Sequence, residues 1–365
     1  MKKRIIMTER KEKLSIDGSF GEGGGSILRL SVGFSILFNQ PIRIYNIRAN
    51  RSKPGLRLQH LLGLKTLASL TDSDLSKCSV GTQEITFKPN TKHLKEKIKV
   101  DIGTAASVGL LLQPIQIACL IFSEPSEIFI DLNGGGTLGK WAPGLHYLNN
   151  VTYQIFRNSG YDIDLEIHKH GFYPKGGAIT QCKIHPPQKD LKPIRLTDLG
   201  NINCIKGKII CSQNLSNANV AERITSSAQK NISPELSINT NITYEYVNAL
   251  STGVGLSLWA ESSTGAIISS GTIIGEKKIS SEELGRMASN RIISYIKNNI
   301  PVDNYLSDQI IPLMAYIQQK SRIKVLEITS HAKTNLELLK LFTDREYRIE
   351  KKENYAIIEY EEINQ

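Results

Sequence analysis

Apolar positions recur along the chain at two alternating periods, about two residues and about 3.6 residues, which predicts strands interleaved with helices and an α/β protein. Residues 42–47 alternate as a strand does. Residues 56–70 then place Leu58, Leu61, Leu62, Leu64 and Leu67 at helical spacing. Residues 85–87 are strand-like again, before a turn at Pro89 and Asn90.

One theme recurs: a short strand, a turn of small residues, then an apolar helix. It runs through residues 14–30, with the turn at 17–25. It returns in residues 100–112, where Gly103, Thr104, Ala105, Ala106 and Ser107 make the turn, and in residues 323–341, around Thr329, Ser330 and His331. Thr334 followed by Glu337 predicts a capping box at the start of the last of these helices. Three such units predict repeated βα modules, each a sheet backed by helices. Residues 203–299 have another character, rich in Ser and Asn. A strand at 205–211, a helix at 218–231, strands at 242–247, 254–260 and 266–274, and a helix opening at 280–283 are expected there. The third unit appears only after this stretch. The expected organisation is therefore a smaller inserted α/β domain at 203–299, within a larger catalytic domain of residues 1–202 and 300–365.

Composition narrows the class of partner. The 365 residues carry 45 Lys and Arg against 35 Asp and Glu, a net charge of +10, which favours an acidic partner such as nucleic acid. Charge alone fits a ribosome-associated protein or a phosphometabolite enzyme equally well. The five cysteines show no CxxC pair and no metal-ligand spacing, so reduced, mostly buried thiols and a cytoplasmic setting are expected. No apolar run approaches the roughly 20 residues that span a bilayer. Residues 1–13 are basic without an apolar stretch of signal-peptide type, and read as a solvated extension.

Candidate chemistry lies in the turns. In residues 17–29, Gly23, Gly24 and Gly25 precede an apolar helix, so backbone amides and a helix N-terminus can meet an anion. Glu22 offers hard oxygen to a divalent cation, and Arg29 a planar fork to a phosphate. The same residues also suit a plain tight turn with a surface carboxylate. Arg48, Arg51, Lys53 and Arg57 cluster around Pro54-Gly55 after a strand, as phosphate contacts or as an ordinary solvated loop. Of seven histidines, His331 alone sits in a strand-to-helix turn of small polar residues, where an imidazole can act as nucleophile or base. His60, on the Leu-rich helix, reads as a packed core residue. His168 and His170 precede a loop, Gly171-Phe172-Tyr173-Pro174, with Gly176-Gly177 behind it.

Read together, GEGGGSILR (21–29), IRANRSKPGLRLQHL (47–61), residues 103–113, HGFYPKGG (170–177), VDNYLSDQ (302–309) and SHAKTN (330–335) resemble the RNA 3′-terminal phosphate cyclase family over nearly the whole chain. The resemblance implies repeated modules with a small inserted domain. It also implies a reaction in which a histidine attacks the α-phosphate of ATP, AMP passes to an RNA 3′-phosphate, and the vicinal 2′-OH closes a 2′,3′-cyclic phosphate. His331 matches the nucleophile. Tyr305, Leu306, Ser307, Asp308 and Gln309 match the ATP-binding stretch, with Gln113 as a further contact and Pro143 beside the adenine. Glu22 matches a ligand of the divalent metal, Mg or Mn. Arg29, Arg48, Arg51 and Lys53 match the surface that meets RNA with a 3′-phosphate end. Two rivals share parts of this pattern. One is a branch of the family that works in ribosome assembly without the histidine. The other is a phosphometabolite transferase of the enolpyruvyl type.

Overall fold

The structure, a computed structural model, describes residues 12–21 and 24–363. Its first module runs β1 (Leu14–Asp17), α1 (Gly25–Leu37), β2 (Ile42–Tyr45), α2 (Leu58–Thr71), β3 (Asp74–Leu75) and β4 (Ile85–Lys88). β1 and β2 are parallel, and β4 pairs antiparallel with both β2 and β3, giving the order β1-β2-β4-β3. The second module takes the same path. β5 (Lys97–Asp101), α3 (Val108–Ala118) and β6 (Ile128–Asn133) come first. α4 (Leu145–Tyr147) then continues through a π turn at Leu148–Thr152 into α5 (Tyr153–Asn158). A hairpin of β7 (Asp162–Lys169) and β8 (Ile179–His185) completes the sheet β5-β6-β8-β7.

The third module begins with β9 (Arg195–Leu196), only two residues long and without a signal in the apolar pattern. Before it continues, the chain builds a separate sheet from β10 (Ile202–Ser212), α6 (Val220–Ile232), β11 (Asn239–Val247), β12 (Val254–Ser262), β13 (Ile267–Ile274) and α7 (Ser281–Lys297). That sheet has the order β11-β10-β12-β13, unlike the modules, and α6 packs on α7. The module then resumes with α8 (Asn304–Tyr316), β14 (Ser321–Val325), α9 (Ser330–Phe342), β15 (Tyr347–Lys351) and β16 (Ala356–Tyr360). Its order β15-β16-β14-β9 repeats the other two modules read from the opposite edge.

Helices apolar on every side belong at the centre. α1 and α3 are such helices, with ten of 13 and ten of 11 residues buried, and they pack on each other. Phe34 of α1 meets Phe342 of α9 edge to face at 5.6 Å, which ties the third module to the first. The expected capping box at Thr334 is not the helix start. α9 opens four residues earlier, where the Thr329 hydroxyl caps by accepting from the Ala332 amide at 2.8 Å. Thr334 lies inside the helix and donates to the Ser330 carbonyl, a local bond that Ser and Thr make in mid-helix as readily as at a cap. All five cysteines are free thiols, and among the described residues no helix is long and apolar enough to cross a membrane.

Identical topology places equivalent turns at one edge of each sheet. In open α/β sheets, ligands gather at the carboxyl ends of the parallel strands. In the first module those ends carry residues 18–21 and 46–57; in the second, 102–107 and 134–144. In the third, residues 326–329 lead into the helix that bears His331, and the inserted sheet occupies the remaining turn.

Candidate active site

α9 brings His331 to the surface. Thr329 caps the helix, and His331 follows two residues later, exposed in the first turn. The Thr329 hydroxyl also donates to Asp308 Oδ1 at 2.7 Å, and Asn335 Nδ2 donates to the Asp308 carbonyl at 2.9 Å. Asp308, on α8, therefore fixes the end of α9 that presents His331. The glycine-rich turn lies against the same end. Gly21 adopts φ +59, and a Cβ there would fall 2.7 Å from Thr334 Oγ1, so only glycine permits this approach.

The basic loop closes over the turn from the other side. Arg51 is exposed, and its Nη2 lies 3.2 Å from where a Cβ of Gly24 would stand. Lys53 is exposed beside it. Arg48 has a different setting. Its backbone is left-handed (φ 55), and its Nη1 donates to the Lys53 and Gly55 carbonyls at 3.0 and 3.1 Å, which orders the loop from within. Arg29, one turn into α1, has a buried Nε with no hydrogen-bond partner, and burial lowers its guanidinium to about 10. Among the described residues that Nε has no acceptor, which suits the guanidinium to an incoming anion.

His60 is buried on α2, as its apolar neighbours predict, yet it faces the glycine-rich turn. A Cβ on Gly25 would fall 2.2 Å from His60 Nε2 and 3.1 Å from Arg29 Nη1. His60 Nδ1 accepts from the Arg57 amide at 3.2 Å, which leaves the proton of the neutral ring on Nε2. Burial, then Arg29, Arg48 and Arg57, hold its pKa down to about 3. The ring is thus a neutral spacer between three cations and the turn. Sequence spacing indicated its burial but not what it faces.

A second group surrounds Tyr305. This residue is half-exposed on the first turn of α8, whose cap, Asp303, accepts from the Tyr305 and Leu306 amides at 2.9 and 3.0 Å. The Tyr305 ring rests on β13, where a Cβ at Gly271 would reach it at 2.4 Å. Arg291 of α7 donates to the Tyr305 hydroxyl at 2.9 Å and to the Ser270 carbonyl at 2.9 Å. The Pro143 loop joins through its neighbour, since the Gly144 amide donates to Thr272 Oγ1 at 3.0 Å. The Pro143 carbonyl also lies against Gly109 of α3. Tyr305 and Pro143 are thus brought to the same strand of the inserted sheet. Gln113 is buried in α3, with Oε1 unpartnered. Leu306 is fully buried, Ser307 Oγ donates back to the Asn304 carbonyl at 2.9 Å, and Gln309 is half-buried. Only Tyr305 of that stretch presents a broad open face. Asp303 lies inside the 302–309 motif but was not singled out there, and Arg291 had no signal because it belongs to a remote helix.

Glu22 lies outside the described residues. Among the described residues, one group of three metal-type ligands comes together, Asp162, Asp164 and His185. It lies on β7 and β8, away from His331, and Arg157 donates to both aspartates at 2.8 and 2.7 Å. That ion pairing makes it a poor cation site. Around the glycine-rich turn Arg29, Arg51, the neutral His60 ring and the Thr334 hydroxyl suit phosphate, while the Asp17 carboxylate accepts from the Ser19 amide and hydroxyl at 2.9 and 2.7 Å. A roomier groove, lined by Phe38, Leu120, Phe122 and Tyr316, lies at the opposite ends of α1, α3 and α8 and contains none of these residues.

A family model described as RNA 3′-terminal phosphate cyclase matches residues 20–349. Curated relatives extend the likeness over most of the chain. An RNA 3′-terminal phosphate cyclase of Methanopyrus kandleri is 36% identical over 345 residues, covering 93% of this chain and 96% of that protein. Those of Thermococcus kodakarensis and Pyrococcus furiosus are 36% and 37% identical, covering 93% and 92% of this chain and 95% and 94% of theirs. With the glycine-rich turn, the basic loop and the His331 helix meeting at one edge of a three-module body, and with likeness of this extent, the chain belongs to the RNA 3′-terminal phosphate cyclase family.

Proposed function

We propose that this chain converts an RNA 3′-terminal phosphate to a 2′,3′-cyclic phosphodiester at the expense of ATP, through AMP bound covalently to His331. One observation carries the reading: the glycine-rich turn packs on the first helical turn that bears His331, through Gly21 against Thr334. A triphosphate held by the turn thus has an imidazole beside it. The relatives' names point to the same reaction class.

In the first step a lone pair of the His331 ring attacks the α-phosphorus, a P–N bond forms, and pyrophosphate leaves with the electrons of the broken P–O bond. Arg29 and Arg51 neutralise charge that develops on the phosphates. Tyr305, held by Arg291 and β13, stacks on the adenine, with Pro143 opposite and Gln113 as a polar contact. In the second step an oxygen of the RNA 3′-phosphate displaces the imidazole from AMP. In the third the 2′-OH attacks the activated phosphorus, gives up its proton, and expels AMP. Arg48, Arg51 and Lys53 serve the RNA phosphate, Arg48 chiefly by shaping the loop. Mg or Mn held by Glu22 would supply further charge neutralisation at the triphosphate. Residues 203–299 act in this scheme as an inserted domain that furnishes one wall of the adenine pocket.

The test is incubation with α-labelled ATP and a divalent metal, followed by a denaturing gel. An acid-labile, alkali-stable label on the wild-type protein that disappears in His331→Ala is expected. Labelling retained in that variant would move the nucleophile elsewhere. A folded wild-type protein that binds RNA yet takes no label would favour a binding role in ribosome assembly.

A further inference from the structure

Two aromatic rings on the ligand edge of the second module stand almost free of the protein and take no part in the chemistry above. Trp141 is 89% exposed and Tyr173 is 79% exposed. The backbone that carries each ring is firmly held. Trp141 occupies the third position of a tight turn in which the Ala142 amide approaches the Gly139 carbonyl. Its backbone is left-handed (φ 61), a conformation that a turn normally reserves for Gly or Asn. An outlier of this kind directs attention to what its side chain does there. The Lys140 ammonium lies 5.1 Å over the ring and pairs with Glu276 at 2.8 Å, which anchors the turn to the segment following β13.

Tyr173 is mounted with equal firmness. The β7–β8 hairpin that carries it interlocks with the Trp141 loop, since the Thr137 amide donates to the Gly171 carbonyl at 2.9 Å. A Cβ on Gly171 would sit 2.4 Å from the Gly135 carbonyl, so the two backbones touch. Behind the tip, Phe172 is buried with Leu138, Ile210 and Val247. The Lys175 amide donates to Ser251 Oγ at 3.1 Å. The result is two outward-facing rings on firmly held backbones, each next to an exposed lysine, on loops that share backbone contacts with the 102–107 turn. Firm aromatic faces interleaved with cations at a strand edge suit unpaired bases, which stack on any flat π surface while their phosphates meet the lysines.

The geometry points to Trp141 and Tyr173 as the stacking faces for the single-stranded RNA that leads to the reacting 3′-phosphate. This rests on the RNA substrate proposed above. It adds a binding surface on the second module to a reaction centred on the first and third. Stacking engages bases without reading their edges, so substrate choice here follows strandedness and purine content more than sequence.

The protein is its own reporter, because it has only two tryptophans and the other, Trp259, is 8% exposed. Titration with a 3′-phosphate oligoribonucleotide should quench the emission of the wild-type protein and leave that of Trp141→Ala unchanged. Trp141→Ala and Tyr173→Ala should each raise the KM for RNA by about tenfold, with Trp141→Phe near wild type. Self-labelling from α-labelled ATP should stay at the wild-type rate in both, which also shows that they are folded. The inference is overturned if quenching survives in Trp141→Ala, or if the double variant keeps its KM for RNA within about twofold. It is equally overturned if ATP without RNA quenches the wild type and self-labelling falls in Trp141→Ala, since the ring would then belong to adenine. Quenching by RNA in a protein that never takes the AMP label would support the stacking surface while removing the proposed reaction.

Discussion

Asp303 shows how much a single buried group can fix. Its carboxylate caps α8 and accepts from the Tyr147 hydroxyl at 2.9 Å, yet it is fully buried, and burial raises its pKa to about 6. In the unfolded chain the same group titrates near 3.8. The folded state therefore binds the proton more tightly, and between about pH 4 and pH 6 folding stability declines as pH rises. Over that window the decline is about 3 kcal/mol at most, and the penalty stays constant above pH 6. Asp303→Asn keeps an acceptor for Tyr147 and the cap but does not titrate. Denaturant unfolding at pH 4.5 and 7 should show the variant gaining on the wild type at the higher pH, and parallel curves would contradict the assignment. At this scale the sequence was partly legible. His331 was expected in a turn of small polar residues, and it lies one step further on, exposed in the first turn of α9. His60 read only as core, because helical periodicity reports which residues are buried and not what they confront. Arg48 read as one of a cluster of cations, whereas two loop carbonyls occupy its Nη1.

Elements were easier to read than their ends. The apolar run of α1, the alternation of β12 and the opening of α7 follow directly from the apolar pattern. The helix expected to open at 280–283 does so, and the structure adds its cap, the Ser280 hydroxyl accepting from the Glu283 amide at 3.1 Å. The start of α9 was misread because a Ser/Thr followed three residues later by Glu occurs inside helices as well as before them. β9 was invisible, since two residues cannot display a period. The true cap of α9 makes a sharp prediction. Thr329 closes the helix and binds Asp308 of α8, so Thr329→Val removes both bonds while conserving volume. A loss of about 1–2 kcal/mol in denaturant unfolding is expected. Self-labelling should slow as well, because His331 lies on the turn set free. Thr329→Ser should recover both, and a variant stable but slow even with Ser would place the effect elsewhere.

At the scale of the whole molecule, three sheets of one topology and a fourth of another were foreshadowed by recurring strand–turn–helix units. The orders of the strands were not, because pairing between distant segments leaves no local trace. The meeting of Tyr305 with β13 and α7 was hidden for the same reason. Arg291 stands on the polar face of an amphipathic helix and becomes informative only when α7 is laid beside Tyr305. Arg291→Ala should raise the KM for ATP about tenfold, the equivalent of roughly 1.4 kcal/mol, while the KM for RNA holds. A change confined to RNA use would detach the inserted sheet from the nucleotide.

That sheet leaves the third module after β9 and returns before α8, and it meets the rest of the chain again at Tyr305 and at the Pro143 loop. On the proposed placement of ATP, nucleotide binding and docking of the sheet share the Tyr305 and Pro143-loop contacts, so each must favour the other by an equal free energy. Hydrogen exchange in β13 thus becomes a gauge of nucleotide occupancy, slowed by ATP in proportion to how firmly the sheet is seated. Conversely, a substitution far out on α6 or β11 that merely unsettles the sheet would weaken ATP binding without touching a single residue of the site.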